Sequence, residues 1–405
     1  MLQRIRYKDE MDPQDFAIPL RQLINVVTLT QSLIFAGFFL ARPARNDLSA
    51  WFLIGAFLIM AAIKADQLYQ MLGGFQHYPQ YGFILAPVQP AMTIVLYLFV
   101  VARTTPDFKL QRRQLWHLAP VVFMTLYLTA VYYRLDVTDK IELISTGGMN
   151  TALNRLIVPL TGDAVQLAYI AAAYRKLEQF GVTLKNWFAH VEDRNLVWLK
   201  RLLTIWGCVF ILHALMTISA SVIDTRALAR AAFAFLDGFH LLFVNLLALL
   251  GVADIERRVK GQPAPPPERQ ARYVKSSMTA ADRATLFRKA ETALKGKALY
   301  LQPDLTLRDL AEDIAAPARD VSEAINGAGG QSFYDFVNAA RIAHAKRLLL
   351  ETPGARVLDI AFQAGFNSKS AFNDAFKKTA GMTPTEYRRQ NNSSEETGPS
   401  GAKTA

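Results

Sequence analysis

Four ionisable residues fall in the middle of long apolar runs. Asp163 lies inside 156–174 with Gln166 close behind, His213 lies inside 202–223, and Asp237 and His240 stand three apart inside 231–253. Ionisable groups at hydrocarbon depth are costly, so they mark ligand pockets, proton paths or contacts between helices. Spacing of three puts Asp237 and His240 on one helical face. Asp163, His213, Asp237 and His240 are therefore candidates for one polar sensing site, taking a small molecule, a proton or a metal ion. Pairing across helices is the alternative, and spacing does not separate a metal site from a ligand pocket. Catalytic chemistry finds little footing. There is no G-x-S-x-G, no H-E-x-x-H and no phosphate-cradling glycine loop, and the glycines at 327, 329 and 330 lack the Lys-Ser/Thr of a P-loop. The chain reads as a non-enzyme with no cofactor.

The elements holding those residues are seven apolar runs, near 23–41, 48–63, 81–102, 115–133, 156–174, 202–223 and 231–253. Most are long enough to cross about 30 Å of hydrocarbon as helices. The second is short and must extend past Lys64 and Asp66 toward Leu72. The third contains Pro87 and Pro90, so a kink is expected. Trp51, Trp116, Tyr132, Tyr133, Tyr174 and Trp198 lie near run ends, as in an interfacial belt. The 23–41 run is span-length and follows an acidic stretch, which does not read as a cleavable signal peptide. Seven spans put the termini on opposite sides. A cytoplasmic C-terminus gives inner loops 12 Lys and Arg against 6 in the outer loops when the N-terminal tail is left out, in keeping with the positive-inside rule. The expectation is a bacterial inner-membrane protein with its N-terminus outside.

Composition agrees. The 405 residues are 52% hydrophobic and 20% charged, and mean hydropathy is +0.14. These values exclude a disordered or collagen-like chain. The single cysteine, Cys208, excludes internal disulfides and multi-cysteine metal sites, and its apolar setting suggests an inert thiol. Net charge is +11. Residues 1–253 contribute +6 and 254–405 contribute +5, so charge alone does not choose between anionic lipid and nucleic acid.

After residue 253 the character changes. A charged and proline-rich stretch spanning 254–282 reads as a semi-rigid spacer. Residues 283–390 are polar with helical periodicity. Thr306 with Asp309 is a capping box opening a helix over 307–314, followed by a turn and a second helix near 318–326. Ser332 with Asp335 caps a long amphipathic helix reaching about Glu351. The pattern then recurs: a helix over 357–364, a turn at Gly365, and a helix capped by Asn367 or Ser368 that runs to Thr379. Thr383 and Glu386 form another capping box, with Pro384 at the first helical position. Two helix-turn-helix units joined by a rod make a bipartite DNA reader, each second helix sized for a major groove. The expected architecture is all-α: an N-terminal tail (1–22), a seven-span bundle (23–253), the linker (254–282), a double helix-turn-helix domain (283–390) and a disordered tail (391–405).

Several stretches here carry a family resemblance. Arg341-Ile-Ala-His-Ala-Lys-Arg-Leu348, Leu358-Asp-Ile-Ala-Phe-Gln-Ala-Gly-Phe366, Asn367-Ser-Lys-Ser-Ala-Phe372, Phe376-Lys-Lys378 and Gly381-Met-Thr-Pro-Thr-Glu-Tyr-Arg388 together resemble the DNA-binding domain of the AraC/XylS family, over about the last quarter of the chain. The resemblance implies a regulator binding double-stranded promoter DNA, with RNA polymerase as a further partner, and the combination with the apolar runs resembles membrane-integral members of that family. It puts Lys369, Ser370 and Asn373 at base-reading positions on the second recognition helix, Arg319 and Ser322 on the first, and Lys377, Lys378 and Arg388 where phosphates are met. Glu323 and Asp374 depart from the pattern, standing where many members carry a basic residue. The charge is lopsided: residues 303–340 have a net of −5 and 341–390 a net of +5. Phosphate neutralisation dominates DNA affinity, so the second unit is expected to supply most of it. A homodimer is compatible with symmetric half-sites.

The loop 176–201, with Trp187, Phe188, His190 and Trp198, reads either as an interfacial amphipathic segment or as a docking surface for the DNA reader. Two rival readings of the membrane part are a transporter or membrane enzyme with an appended regulator, and a passive tether.

Overall fold

A computed structural model describes residues 13–41, 47–106, 108–146, 151, 153–192, 195–223, 226–259 and 278–395. Most of the predicted N-terminal tail, Arg42, Arg45, Arg194, the proline-rich core of the linker and most of the C-terminal tail lie outside the described residues. The chain divides into two compact units. One is Met1–Leu177 with Val197–Ala264, and the other is Glu178–Leu196 with Pro265–Ala405.

The first unit is helical. Its elements are α1 (Pro13–Leu40), α2 (Leu48–Met71), α3 (Gly74–His77), α4 (Ala91–Thr104), α5 (Ala119–Leu128), α6 (Val137–Ser145), α7 (Val158–Trp187), α8 (Val197–Ile223) and α9 (Arg226–Val259). The last turns of α7 belong to the second unit. Asp47 caps α2, accepting from Ser49 N at 2.9 Å. Helices α1, α2, α4 and α9 pack around Phe39, Leu53, Phe57, Leu96, Val100 and Val244, all buried. Phe39 stacks on Phe57 with centroids 5.6 Å apart. A Cβ on Gly251 would stand 2.9 Å from Leu53 Cδ2, so glycine lets α9 close onto α2.

Among the described residues, six segments are long and apolar enough to cross a membrane: Leu20–Leu40, Leu48–Met71, Pro79–Thr104, Arg112–Tyr133, Val197–Ser219 and Phe233–Asp254. The fifth expected run, 156–174, enters the helix α7, whose apolarity is cut by Asp163 and Gln166 within the run and by Arg175 and Lys176 just after it. The second run extends as expected past Lys64 and Asp66, both buried. The expected kink in the third is a full break. Two 3₁₀ turns, Pro79–Tyr81 and Ala86–Val88, precede α4, and Pro90 stands as its N-cap, because proline removes a donor and clashes with the preceding turn.

The second unit contains α10 (Ala280–Gly296), α11 (Leu307–Asp313), α12 (Ala318–Gly327), α13 (Phe333–Glu351), α14 (Val357–Gln363), α15 (Lys369–Ala380) and α16 (Pro384–Glu395). Its first helix starts earlier than residue 283, where a Thr279–Asp282 capping box sets it; its last helix continues past residue 390. The boxes at Thr306–Asp309 and Thr383–Glu386 and the caps at Ser332 and Ser368 form as expected. The rod α13 splits the interior in two. Phe333, Phe336 and Val337 enter a core with Leu307, Leu310, Val321 and Ile325. Ile342, Ala345 and Leu349 enter a second core with Ile360, Phe372 and Phe376. Each core holds one pair of short helices, α11 with α12 and α14 with α15. Their turns use the left-handed region at Ala315 (φ 49°) and Gly365 (φ 89°). A Cβ at Gly365 would stand 2.6 Å from Tyr300 O, so that turn requires glycine.

Candidate nucleic-acid interface

Helix α15 buries Ala371, Phe372, Ala375 and Phe376. That orientation turns Lys369, Ser370, Asp374, Lys377 and Lys378 into solvent, with Asn373 half-buried among them. Lys369, Asn373 and Lys377 recur every four residues and share one ridge. Ser368 accepts from Ala371 N at 3.2 Å, fixing where the helix begins and so where Lys369 points. Lys378 Nζ donates to Asp335 Oδ1 at 2.7 Å, tying α15 to the start of the rod. Arg388 is half-buried on α16, with Nε and Nη2 covered and without hydrogen bonds.

Helix α12 offers a weaker surface. Arg319 and Ser322 are half-buried. The Ser322 hydroxyl and carbonyl both accept from Asn326 Nδ2, at 3.3 and 2.8 Å. Glu323 accepts from Arg283 Nη1 of α10 at 3.1 Å. The departure at Glu323 is thus an internal ion pair between α10 and α12. Asp374 on α15 is exposed.

The hub of the second unit is Arg341, a residue quoted above only as part of a motif. It is 1% exposed. Its Nε donates to Tyr300 O at 2.8 Å, and its Nη2 to Gln302 O at 2.7 Å and Pro303 O at 3.2 Å. Its Nη1 donates to Ala189 O and Asn338 Oδ1, both at 3.2 Å. The guanidinium also lies 5.5 Å from the Phe366 ring centroid. Burial lowers its pKa to about 10, opposed by Tyr334 and Glu192. A clue stood in the sequence: Arg341 is one charged residue inside the apolar face of an amphipathic helix.

Ala189 brings in the segment between α7 and α8. Ala189 N donates to Leu305 O at 3.1 Å, and Phe188 pairs with Thr306 as an isolated antiparallel bridge. Tyr334 OH donates to Glu192 Oε1 at 3.2 Å, and His190 Nδ1 lies 2.8 Å from Glu192 Oε2. Burial alone would raise Glu192; hydrogen bonds from His190 and the Val191 N–H hold it below the usual carboxylate range. Burial and the neighbouring Glu192 carboxylate push the Tyr334 phenol up. Of the two readings of loop 176–201, the geometry matches the docking surface. Leu184, Phe188 and Val191 are buried in protein rather than presented outward.

Three of the four residues of the first unit enter two ion-pair systems. His213 Nδ1 lies 2.9 Å from Asp163 Oδ2, joining α8 to α7. Asp237 Oδ1 accepts from Lys64 Nζ at 2.8 Å, and Oδ2 accepts from Arg21 Nε and Nη2 at 3.0 and 2.9 Å. His240 is buried with Nδ1 unpartnered, within electrostatic reach of Lys64, Asp237 and His213. Lys64 and Arg21, the partners of Asp237, went unremarked as site residues. A lysine inside an apolar run was itself the signal. No group of three or more His, Cys, Asp or Glu is arranged to hold a metal among the described residues. A third pair, Arg103 with Asp254, ties α4 to α9.

Two tandem helix-turn-helix units on a shared rod define a class of DNA-reading domain. Residues 310–390 match the family described as a helix-turn-helix domain, and this C-terminal region is a domain of the AraC type. An uncharacterised HTH-type transcriptional regulator of Staphylococcus aureus (strain COL) is 36% identical over 90 residues, which is 22% of this chain and 12% of that protein. The melibiose operon regulatory protein of Escherichia coli (strain K12) is 35% identical over 85 residues, 21% of this chain and 28% of that one. The chain thus spans less than a third of the length of these curated relatives. Among solved structures, the C-terminal domain of AraT, a response regulator from Geobacillus stearothermophilus, is 30% identical, with 28% of this chain and 88% of that chain covered and a TM-score of 0.24.

Proposed function

We propose that the chain is a membrane-embedded, sequence-specific DNA-binding transcriptional regulator. Promoter DNA is read mainly by α15, where Lys369, Ser370 and Asn373 meet base edges and Lys377 and Lys378 meet phosphates. Helix α12, with Arg319 and Ser322, contributes less. One observation carries the reading: an AraC-type double helix-turn-helix with an exposed basic recognition ridge stands on the same chain as six membrane-length apolar helices. With α7 as a seventh crossing, the C-terminal unit lies in the cytoplasm and the N-terminus outside. The intramembrane polar system of Asp163, His213, Asp237 and His240 is the sensing site, and a signal acts by binding one helix arrangement better than another. RNA polymerase and a second copy of the chain are the expected protein partners.

The test is chromatin occupancy of the tagged full-length chain beside Lys369→Glu, with membrane fractionation of the same cells. Discrete promoter sites lost in the variant, with both proteins in the membrane fraction, support the reading. Membrane localisation with no promoter site under any growth condition, and no binding by solubilised protein, refutes it. Transport of a solute dependent on Asp163 or Asp237 would favour a transporter with an appended regulator.

A further inference from the structure

We propose that residues 178–196 are a built-in docking segment for the first helix-turn-helix unit, through which changes between α7 and α8 reach the DNA reader. The proposal rests on the reading of the chain as a membrane-embedded DNA binder.

The docking is built from backbone and core, not from surface charges. Phe188 and Ala189 pair with Thr306 and Leu305, the residues that open α11. Ala189 is 1% exposed and lies within the core of α11–α13. Its carbonyl receives Arg341, which holds the carbonyls of 300, 302 and 303 with the same guanidinium. A segment that fills a core position and satisfies a buried arginine is a structural member of the unit it touches. Leu184, Phe188 and Val191 form a small cluster with Trp187 and Tyr334 against it, and the Tyr334–Glu192–His190 chain closes the edge. These contacts fall on Leu305, Thr306, Tyr334 and Arg341, and the ridge of α15 stays open to solvent. The device therefore positions the reader without masking it.

The segment is held at both ends by helices that touch each other. Asp163 pairs with His213. A Cβ at Gly207 would lie 3.7 Å from Ile170 Cγ2, and Lys200 Nζ lies 4.8 Å from the Tyr174 ring. Helix α7 runs unbroken from Val158 to Trp187. A rotation or slide of α7 against α8, triggered at the Asp163–His213 pair, is passed along α7 to Phe188 and Ala189.

Cross-linking in the full-length chain tests the docking, in native membranes, with Cys208→Ser as background. Phe188→Cys with Thr306→Cys should form a disulfide on mild oxidation, because facing residues of an antiparallel pair stand at disulfide-compatible distance. After cleavage at a protease site placed in the linker, the C-terminal fragment should stay attached until reduction. Phe188→Cys with Ser370→Cys should not link. Glu192→Cys with Tyr334→Cys, bridged by a short bis-maleimide, tests the same edge without altering the α11 cap. Failure of both pairs overturns the docking. For transmission, Asp163→Asn should change promoter occupancy at least threefold with the intact segment and not with Phe188→Asp. No change with the intact segment, or an equal change with Phe188→Asp, overturns it. Cross-links that form in a chain with no promoter occupancy would leave the docking standing while the DNA-reader assignment fails, and transmission with it.

Discussion

Reversing Lys369 probes the claim that the second unit carries the affinity. Lys369, Lys377 and Lys378 are the exposed cations of α15. Lys377 and Lys378 meet phosphates, and release of about 0.9 counterion per neutralised phosphate gives these two a salt slope of roughly −1.8 per protomer. At ~0.15 M salt each contact is worth about 1 kcal/mol, or roughly fivefold in affinity. Lys369→Glu removes a base-edge contact worth about 1–3 kcal/mol and sets a carboxylate against the phosphates, so affinity should fall at least about 25-fold and the slope should become shallower by roughly 1. Arg319→Glu acts on a unit whose 303–340 stretch already has a net charge of −5, and Arg319 is half-buried. Its cost should stay under about threefold, well below one lost phosphate contact. The assay is a salt-titrated binding measurement on detergent-solubilised full-length protein, using a promoter recovered from occupancy mapping. Equal losses for the two variants, or a slope unchanged by Lys369→Glu, would refute the reasoning.

Four further outcomes follow from the packing. Asp335→Asn releases Lys378 from a pair whose side chains are 67% and 31% exposed. Such pairs are worth up to about 1 kcal/mol, so DNA affinity should rise by no more than about fivefold at low salt, with no gain at high salt. Arg341→Met strands the carbonyls of Ala189, Tyr300, Gln302 and Pro303; differential scanning of the full chain should show a loss of about 3–5 kcal/mol in the C-terminal transition, and a loss below about 1 would contradict the hub. The Glu192 pKa is depressed from 4.5, so its stabilising contribution is complete above that value and lost as pH falls through the lower folded one. The C-terminal thermal transition of the full chain should lose this stability only as pH falls below about 4.5, and Glu192→Gln should flatten that decline. Asp237→Asn leaves Lys64, 0% exposed, facing Arg21 without its carboxylate. It should cost about 3–5 kcal/mol in detergent unfolding, with most recovered by Lys64→Met together with Asp237→Leu.

The double helix-turn-helix was legible because each helix start is written in two residues. Thr306 with Asp309, Ser332 with Asp335, and Thr383 with Glu386 each satisfy backbone donors locally, and local rules need no tertiary knowledge. Phe372 and Phe376, four apart, announced the face that α15 buries. The membrane-length helices were legible for the same reason, since apolar run length is a property of the sequence alone. Asp163, His213, Asp237 and His240 were visible as ionisable groups in apolar runs, but not that Asp163 joins His213 while Asp237 joins Lys64 and Arg21. The partners Lys64 and Arg21 lie 173 and 216 residues from Asp237, and nothing in spacing encodes which helices meet.

Loop 176–201 was ambiguous for a deeper reason. Trp187, Phe188 and Val191 look alike whether they face a headgroup layer or a protein core, because both reward apolar burial. What decides between them is Arg341. A guanidinium buried to 1% exposure needs several acceptors at once, and the rod α13 supplies only the Asn338 side chain. The loop at 300–303 supplies three carbonyls, and the remaining one comes from Ala189. Anchoring the segment in a headgroup layer instead would strip that carbonyl from Arg341 and open the Ala189 position in the core. The DNA-reading unit is thus completed by a piece of chain whose two ends are the helices joined by Asp163 and His213. That arrangement argues against a passive tether, because an unrelated anchor in place of residues 1–253 would remove part of the reader's own core.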